Sequence, residues 1–508
     1  MRCNCSQKKY NTTVWTAVMC AVISTVLAFL CLPKGGIVYT HDSLAYLHVE
    51  KSLAAGEGFL FFGYSTPMIQ WALLMPAFCA FLSRLTGDAP ATLAWLNLIF
   101  MAVTMLLANL TAVRIIKKKL YCVAAQVILS FSWTMWFIHY HLWSEALFLL
   151  FVTALIYVFV CWLQEKKRYL LVAAGVFASL MLLTRFSGME LAGLIGLIIV
   201  FYPRHTWKNR IIDAAAYGVI GALPCVALLI RNYMLSGTFT GRSKPALYTF
   251  SQNLKDTCLR LVEMLDPAAS GWRILVVVGI VGVMCLAALV VMIRQRDKID
   301  RDAILPVIFM LLHCVLYTAT SLYANSTYAL DGVTGRIMAP IMVCGFVMIF
   351  WVLSQITWSE CASLPKIMAV CVVLLTVFSA SSNIACLVHK GPDLVNPYSK
   401  ASYGEDAAAE YIAAMDPDAV KVWTNQPARL YVLTDGMDIN YPPRRESIEL
   451  YSWDACVARW QESEKELYVC WYDRATNQIL YQEAELQERL GLVLVAELDG
   501  CRIYSVPE

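Results

Sequence analysis

The sequence predicts an α-helical polytopic membrane protein of about eleven spanning helices, followed by a C-terminal α/β domain outside the membrane. Three observations predict it. Hydrophobic residues make up 59% of the 508 residues and charged ones only 15%, against roughly 45–50% and about 25% in soluble domains. The excess lies in runs of about 20 apolar residues, the length that a spanning helix needs. From about residue 390 the composition changes, and charged runs such as Glu462-Ser463-Glu464-Lys465-Glu466 appear.

The first apolar run, 14–33, follows Arg2, Lys8 and Lys9. It is longer than the apolar part of a signal peptide and no small-residue cleavage site follows, so it reads as a retained helix with its N-terminus inside. Ten further spans are expected at 92–115, 119–138, 142–163, 168–184, 187–203, 211–231, 273–294, 303–323, 335–355 and 365–389. The segment 68–86 is apolar but contains Pro76 and Arg84. If it crossed the membrane, Arg114, Lys117, Lys118 and Lys119 would fall outside. If it only lies along or dips into the membrane, they fall inside, and so do Lys166, Lys167 and Arg168, then Arg204, Lys208 and Arg210, then Arg294, Arg296, Lys298 and Arg301. The short outer turns then hold only Arg185. The excess of basic residues on cytoplasmic loops selects this second topology.

The expected layout is therefore a membrane module over 1–389, with outer loops at 34–91 and 232–272, and an extracytoplasmic domain over 390–508. In that tail, short apolar runs at 420–423, 467–471, 492–495 and 502–506 alternate with helical patterns at 402–414, 452–463 and 480–490. Alternation of that kind reads as α/β.

A net charge of +3, with the basic residues dispersed, argues against a nucleic-acid partner. Most of the 18 cysteines stand singly in apolar runs, where a thiol acts as a small hydrophobe. The pair Cys3 and Cys5 is too short a cluster to argue for metal. His139 and His141 flank a tight outer turn, but histidine and aromatic residues belong at a membrane interface anyway. No cofactor is indicated; a divalent metal is left open.

Chemistry is concentrated in the first outer loop. A short helix over 43–55 begins beside Asp42 and ends at Gly56-Glu57-Gly58. Spacings of four and eight place Asp42, Tyr46 and Glu50 on one stripe, with His41 beside Asp42 and Tyr64 further along the loop. Asp42 also fits a plain N-cap. At other predicted outer helix ends stand Ser144-Glu145, Leu183-Thr184-Arg185, Leu223-Pro224 followed by Arg231-Asn232-Tyr233, and Arg336 with Pro340. An arginine fork there suits a lipid phosphate, and an arginine at a helix end also snorkels. Arg242 and Lys244, in the second outer loop, fit phosphate contact or plain solvation. Pro442-Pro443-Arg444-Arg445 with Tyr441, Tyr451 and Trp453 fits an acceptor-binding lip or a folded cap.

Taken in order, these motifs resemble the GT-C superfamily of membrane glycosyltransferases. The likeness is to the glycosyltransferase family 39-like bacterial relatives of protein O-mannosyltransferases and aminoarabinose transferases. There are two departures. His41 stands where many members carry the first of two adjacent acids, and Ser65 and Thr66 stand before Pro67 where aminoarabinose transferases place a charged pair. The second argues against aminoarabinose as the sugar.

The resemblance implies an inverting transfer from a polyprenyl-phosphate sugar to a hydroxyl on protein, lipid or envelope glycan, at the outer face of the membrane. It makes Asp42 the catalytic base. Arg231, Arg336 and Arg185 become the donor-phosphate ligands, and His41, Tyr46, Glu50, Glu145 and Tyr64 line the cavity. A transporter or flippase, and a non-enzymatic scaffold, are the rival readings. No paired half-repeats with broken helices support the transporter.

Overall fold

The computed structural model describes every residue except 1, 65, 203–205, 242–245, 300, 329, 331, 446–450, 474–478, 499 and 508. Arg242, Lys244 and Ser65 thus lie outside the described residues. Among those described, nine helices are long and apolar enough to cross a membrane. They are Asn11–Leu30, Ala89–Ile115, Lys119–His139, Ser144–Glu165, Trp207–Ser236, Trp272–Arg294, Ala303–Thr327, Gly335–Thr357 and Ser363–Lys390. The remaining two expected spans are shorter apolar helices: Arg168–Thr184, with 17 residues, and Met189–Val200, with 12. A 3-10 turn over Phe186–Gly188 joins them. The protein is a multi-pass membrane protein.

Burial sorts these helices. In their most apolar 18 residues Ser144–Glu165, Lys119–His139 and Gly335–Thr357 are 78%, 72% and 72% buried and form the interior of the bundle; the same stretch of Trp272–Arg294 is only 22% buried. Its Leu275, Val283 and Ile293 stand exposed, which is the pattern of a helix that faces lipid.

One expected span is broken. The helix Lys119–Ser130 stops, and a second, Trp133–His139, restarts after two residues. A break inside a membrane is tolerable only if the freed backbone groups find partners. Here they do: Trp133 N–H donates to Asn383 Oδ1 (2.7 Å), and the Ser130 carbonyl accepts from Ser24 Oγ (2.6 Å). Asn109 Nδ2 donates to Ser130 Oγ at 2.8 Å.

The doubtful segment 68–86 forms only a 13-residue helix, Leu74–Thr86, about 20 Å long at 1.5 Å per residue. That is short of the roughly 30 Å hydrocarbon core. Its two disruptions are well placed. Pro76 lies in the first turn, where its missing N–H costs nothing. Arg84 lies in the last turn, where the helix dipole favours a cation.

Packing divides the chain into two compact units. The first holds Met1–Gly36, Leu93–Ala227 and Pro245–Leu394, and the second holds Ile37–Thr92, Leu228–Lys244 and Val395–Glu508. The segment Ile37–Thr92 therefore folds with the C-terminal tail.

Within the second unit, β1 (Leu60–Phe61) and β2 (Thr66–Pro67) make a small antiparallel hairpin. The tail carries β3 (Val420–Thr424), β4 (Ile439–Asn440), β5 (Glu466–Tyr472), β6 (Val493–Leu498) and β7 (Cys501–Ser505). They form one sheet in the order β4-β3-β5-β7-β6. β3 runs parallel to both of its neighbours, and β7 antiparallel to both of its own. Alternation along the strands feeds two cores. Val420, Val422, Cys470 and Ile503 fill one, and Trp423, Leu467, Val469, Trp471 and Tyr504 the other.

The loop and tail interlock through aromatic residues. Tyr64 stacks on Tyr441 (5.2 Å) and lies 4.5 Å from Tyr451, and Phe62 meets Tyr431 edge-on at 5.0 Å. Backbone pairing continues the join, with Tyr441 N–H donating to the Gly63 carbonyl at 2.7 Å. Gly56 and Gly58, conspicuous in the sequence, have φ of 78° and 85°. Both lie in the left-handed region that favours glycine.

Candidate active site

In the first unit, Trp143-Ser144-Glu145 opens the helix Ser144–Glu165, and Glu145 falls in its first turn. The unbonded N–H groups and the dipole favour a negative charge there. The side chain is almost wholly buried, at 3% exposure. Arg185 NH1 donates to Glu145 Oε2 at 2.9 Å, and Arg336 NH1 lies 3.5 Å from Oε1. Ser144 Oγ is 3.3 Å from Oε2 and itself accepts from Arg185 NH1 at 2.9 Å.

Local backbone explains how two arginines reach one carboxylate. Arg185 is the first residue past the helix Arg168–Thr184, in extended conformation. Arg336 sits in the four-residue helix Gly335–Met338. Its guanidinium lies 4.5 Å from the ring centre of Trp143, and Trp143 stacks on His141 at 3.9 Å. A cation over an indole face is worth about 0.5–2 kcal/mol.

The His141 ring adds no charge to this column at neutral pH. Burial pulls its pKa down to about 4, the hydrogen bond to the Phe137 carbonyl opposes that, Arg336 adds to it, and Glu145 opposes it. Its Nδ1 is 2.6 Å from that carbonyl, so the neutral ring keeps its proton on Nδ1. Two guanidinium groups thus converge on one buried carboxylate.

The second unit holds the other candidates. The helix over the first loop runs His41–Ala54, and its N-cap is Thr40. Thr40 N–H donates to Ser43 Oγ at 2.9 Å, one arm of a capping box. Asp42 is therefore not the N-cap that the sequence allowed. It stands in the first turn, next to the half-buried Tyr398, whose pKa is raised by burial and then by the Asp42 charge.

Tyr46 packs edge-on against Trp71 at 5.6 Å and is buried. His41 lies edge-on to Phe62 at 5.6 Å. Glu50 Oε2 is buried without a hydrogen-bond partner. Tyr64 is buried within the aromatic stack, and its hydroxyl accepts from Arg444 Nε. Burial raises its pKa well above the usual value, Arg444 opposing.

Arg231 NH1 donates to the Met68 carbonyl (3.0 Å) and to Asn232 Oδ1 (3.0 Å), and Asn232 Nδ2 donates to the Ile69 carbonyl (3.2 Å). This pair of residues clamps the loop just before the helix Leu74–Thr86. The structure thus joins Arg185, Arg336 and Glu145 in one cluster, and ties Arg231 to the loop that carries Asp42. Arg444 lies over both Tyr64 (4.5 Å) and Tyr451 (5.1 Å), so this part of the expected lip joins tail to loop.

His48 is a separate matter. Both its ring nitrogens are buried without partners, between the edges of Phe62 (5.8 Å) and Tyr431 (5.7 Å). Burial lowers its pKa to about 4, with Asp438 opposing and Lys51 adding. A histidine kept neutral by the fold gives stability that is full above the unfolded value of about 6.5 and is lost as pH falls toward 4. Between pH 7.5 and 5 the loss from this one group is on the order of 2 kcal/mol. His48→Leu is expected to raise the melting temperature and to reduce its fall over that range. Thermal unfolding of both proteins at the two pH values checks this, and an equal fall in the two would remove the assignment.

No family model and no curated protein matches the sequence. Solved structures do match. ArnT from Cupriavidus metallidurans in the apo state superposes with a TM-score of 0.60 at 12% identity, over 96% of this chain and 97% of that one. The same protein bound to undecaprenyl phosphate gives 0.61 at 10% identity, over 96% and 98%. The archaeal oligosaccharyltransferase AglB from Archaeoglobus fulgidus, in complex with an inhibitory peptide and a dolichol-phosphate, gives 0.52 at 9%, over 90% and 69%.

This chain has the GT-C fold. The agreement extends through the spanning helices and into the tail, as the coverage shows.

Two polar groups inside this GT-C bundle escaped the sequence reading. His313 Nδ1 lies 3.2 Å from the Glu190 carboxylate, and both side chains are buried. Its Nε2 is 3.4 Å from the Pro340 carbonyl, and Tyr317 of the same helix donates to the Ile337 carbonyl at 2.7 Å. The helix Arg301–Thr327 therefore braces the turn that bears Arg336. An ionisable residue within a membrane helix is itself a signal, and His313 carried it. Glu190, one residue into an apolar helix, looked like a helix end. The second group, Asp266 with Arg273 at 2.7 Å, joins residues seven apart across a loop. Among the described residues no group of three or more His, Cys, Asp or Glu side chains could hold a metal ion.

Proposed function

We propose that this protein is an inverting glycosyltransferase that moves a sugar from a polyprenyl-phosphate donor to an acceptor hydroxyl at the outer face of the membrane. The observation that carries the reading is the convergence of Arg185 and Arg336 on Glu145 at the ends of apolar helices. The fold supports it, since ArnT shares that fold and binds undecaprenyl phosphate.

Asp42 accepts the proton of the acceptor hydroxyl as its oxygen attacks the anomeric carbon. The bond from that carbon to the phosphate oxygen breaks on the opposite side, and the electron pair leaves with the polyprenyl phosphate. Arg185 and Arg336 stabilise the charge that gathers on the leaving phosphate. Arg231 holds the loop and contributes its charge. His41, Tyr46, Glu50, Tyr64 and Glu145 shape and orient the reacting groups.

Purified protein in liposomes, given a polyprenyl-phosphate sugar and envelope glycan or protein acceptor, is expected to release polyprenyl phosphate and yield an inverted glycoside. Mass spectrometry of envelope glycans from cells with and without the protein identifies the sugar. Passage of intact donor across the vesicle membrane, with no cleavage, would instead make the protein a flippase.

The reading requires the N-terminus inside and the C-terminal domain outside. Single cysteines placed at 117–119 in a cysteine-free background are expected to resist an impermeant thiol reagent on intact cells, whereas one placed at 464 reacts. Labelling at 117–119 would reverse the topology.

A further inference from the structure

In the first unit, away from the arginine pair, a cavity of about 490 Å³ opens between the start of the helix Trp272–Arg294 and the end of the helix Ser363–Lys390. Three basic residues line it: Arg273 from the former helix, and His389 and Lys390 from the latter. Ser381, Ser382 and Phe378 complete the part that matters here.

Arg273 is held rather than loose. Its NH2 donates at 2.7 Å to Asp266 Oδ2, and the Asp266 side chain has no exposure at all. The other carboxylate oxygen accepts from Ser382 Oγ at 2.5 Å and from the Ala268 N–H at 3.2 Å. Burying a carboxylate is costly unless its partners are fixed, so Asp266 sets the direction of the Arg273 fork. Asp393, three residues past Lys390, is bonded to Lys34 at 2.9 Å. Arg273 and Lys390 against Asp266 leave one surplus positive charge.

Below this basic rim the lining is apolar, from Ala268, Phe378, Ala385 and Cys386. Phe378, about three turns before the end of a helix long enough to cross a membrane, is exposed. A free anion would use only the rim. An amphiphile with an anionic head and apolar chains would use both parts, and the volume lies within the roughly 300–1,000 Å³ of ligand pockets.

We propose that this cavity binds the phosphate headgroup of an anionic diacyl phospholipid, with its acyl chains along Phe378, Ala385 and Cys386. The site is separate from the arginine pair and does not depend on the transfer reaction. It needs only that the helices lie in a membrane.

The test is native mass spectrometry of the full chain in detergent, titrated with phosphatidylglycerol, phosphatidylcholine or undecaprenyl phosphate. Wild type is expected to retain phosphatidylglycerol at least five-fold better than phosphatidylcholine. His389→Gln with Lys390→Gln leaves the Asp266–Arg273 pair intact and is expected to abolish that preference while leaving the melting temperature in detergent unchanged. Arg273→Gln is expected to abolish it too. Equal retention of the two phospholipids by wild type overturns the proposal, as does an undiminished preference in the His389/Lys390 variant. Complete displacement of phosphatidylglycerol by millimolar inorganic phosphate would make the ligand a free anion. Displacement by equimolar undecaprenyl phosphate would make this a second polyprenyl site, and either result overturns the proposal as stated.

Discussion

Asp42→Asn protein is expected to insert and fold like wild type and to transfer sugar slower by two or more powers of ten. The fold half of that result follows from the cap. Thr40 and Ser43 close the N-terminus of the helix His41–Ala54 between them, and the substitution touches neither. What the helix loses is one negative charge in its first turn, worth about 0.3–1 kcal/mol. A purely structural Asp42 therefore predicts a small fall in melting temperature and full activity. The catalytic Asp42 predicts the same small fall and loss of general-base assistance, which contributes about 10²–10⁴-fold. Donor binding is expected to survive, because the phosphate contacts belong to other residues. Turnover of released polyprenyl phosphate, measured beside a donor-binding isotherm, separates the two. Wild-type turnover in a folded Asp42→Asn protein would end the catalytic assignment.

Nine of the eleven expected spans were legible because each is a long apolar run, and length against bilayer thickness decides that question without tertiary information; the helices over 168–184 and 189–200 are shorter. The segment 68–86 was legible as too interrupted for a long helix, since Pro76 and Arg84 stand within it, and its helix has 13 residues. What the sequence concealed depends on contact between distant positions. Strand β4 has only two residues, Ile439 and Asn440, too few to show a period. Its place is fixed by pairing with Val422 and Trp423. The packing of the first loop onto the tail rests on Tyr64, Tyr441, Tyr451 and Arg444, whose residue types announce no partner. The broken span at 130–133 has no proline or glycine to mark it; Asn383, some 250 positions away, supplies the hydrogen bond that makes it tolerable.

The candidate site divided in the same way. Asp42, Glu145, Arg185 and Arg336 stood out because charged residues at the ends of apolar runs are rare and need reasons. That Glu145 holds both arginines was not readable, since nothing in the spacing of 145, 185 and 336 implies a shared carboxylate. Nor could the sequence tell that Thr40, and not Asp42, caps the loop helix, because threonine and aspartate both serve.

Arg336→Gln is expected to leave the fold intact and to raise the donor KM or slow transfer by 10²–10³-fold, the range seen when one preplaced transition-state donor is removed. The geometry explains why the fold survives. Glu145 keeps Arg185, its nearer cation at 2.9 Å, and gives up only the longer 3.5 Å approach of Arg336. The buried carboxylate therefore still has a cation. Glu145→Leu is the contrasting case. It leaves two guanidinium groups without their anion, and breaking a buried pair in this way costs about 3–5 kcal/mol. Its defect is expected in folding and expression. Arg336→Lys falls between wild type and Arg336→Gln. The ammonium keeps the charge over Trp143 but cannot make the paired N–H contacts that a guanidinium offers a phosphate. An arginine that merely snorkels would tolerate lysine fully and glutamine nearly so. Donor titrations and single-turnover rates on the three variants, each with its melting temperature, distinguish these cases. Unchanged donor affinity and rate in a folded Arg336→Gln protein would reduce the cluster to a structural ion pair and leave the donor phosphate without its proposed ligand.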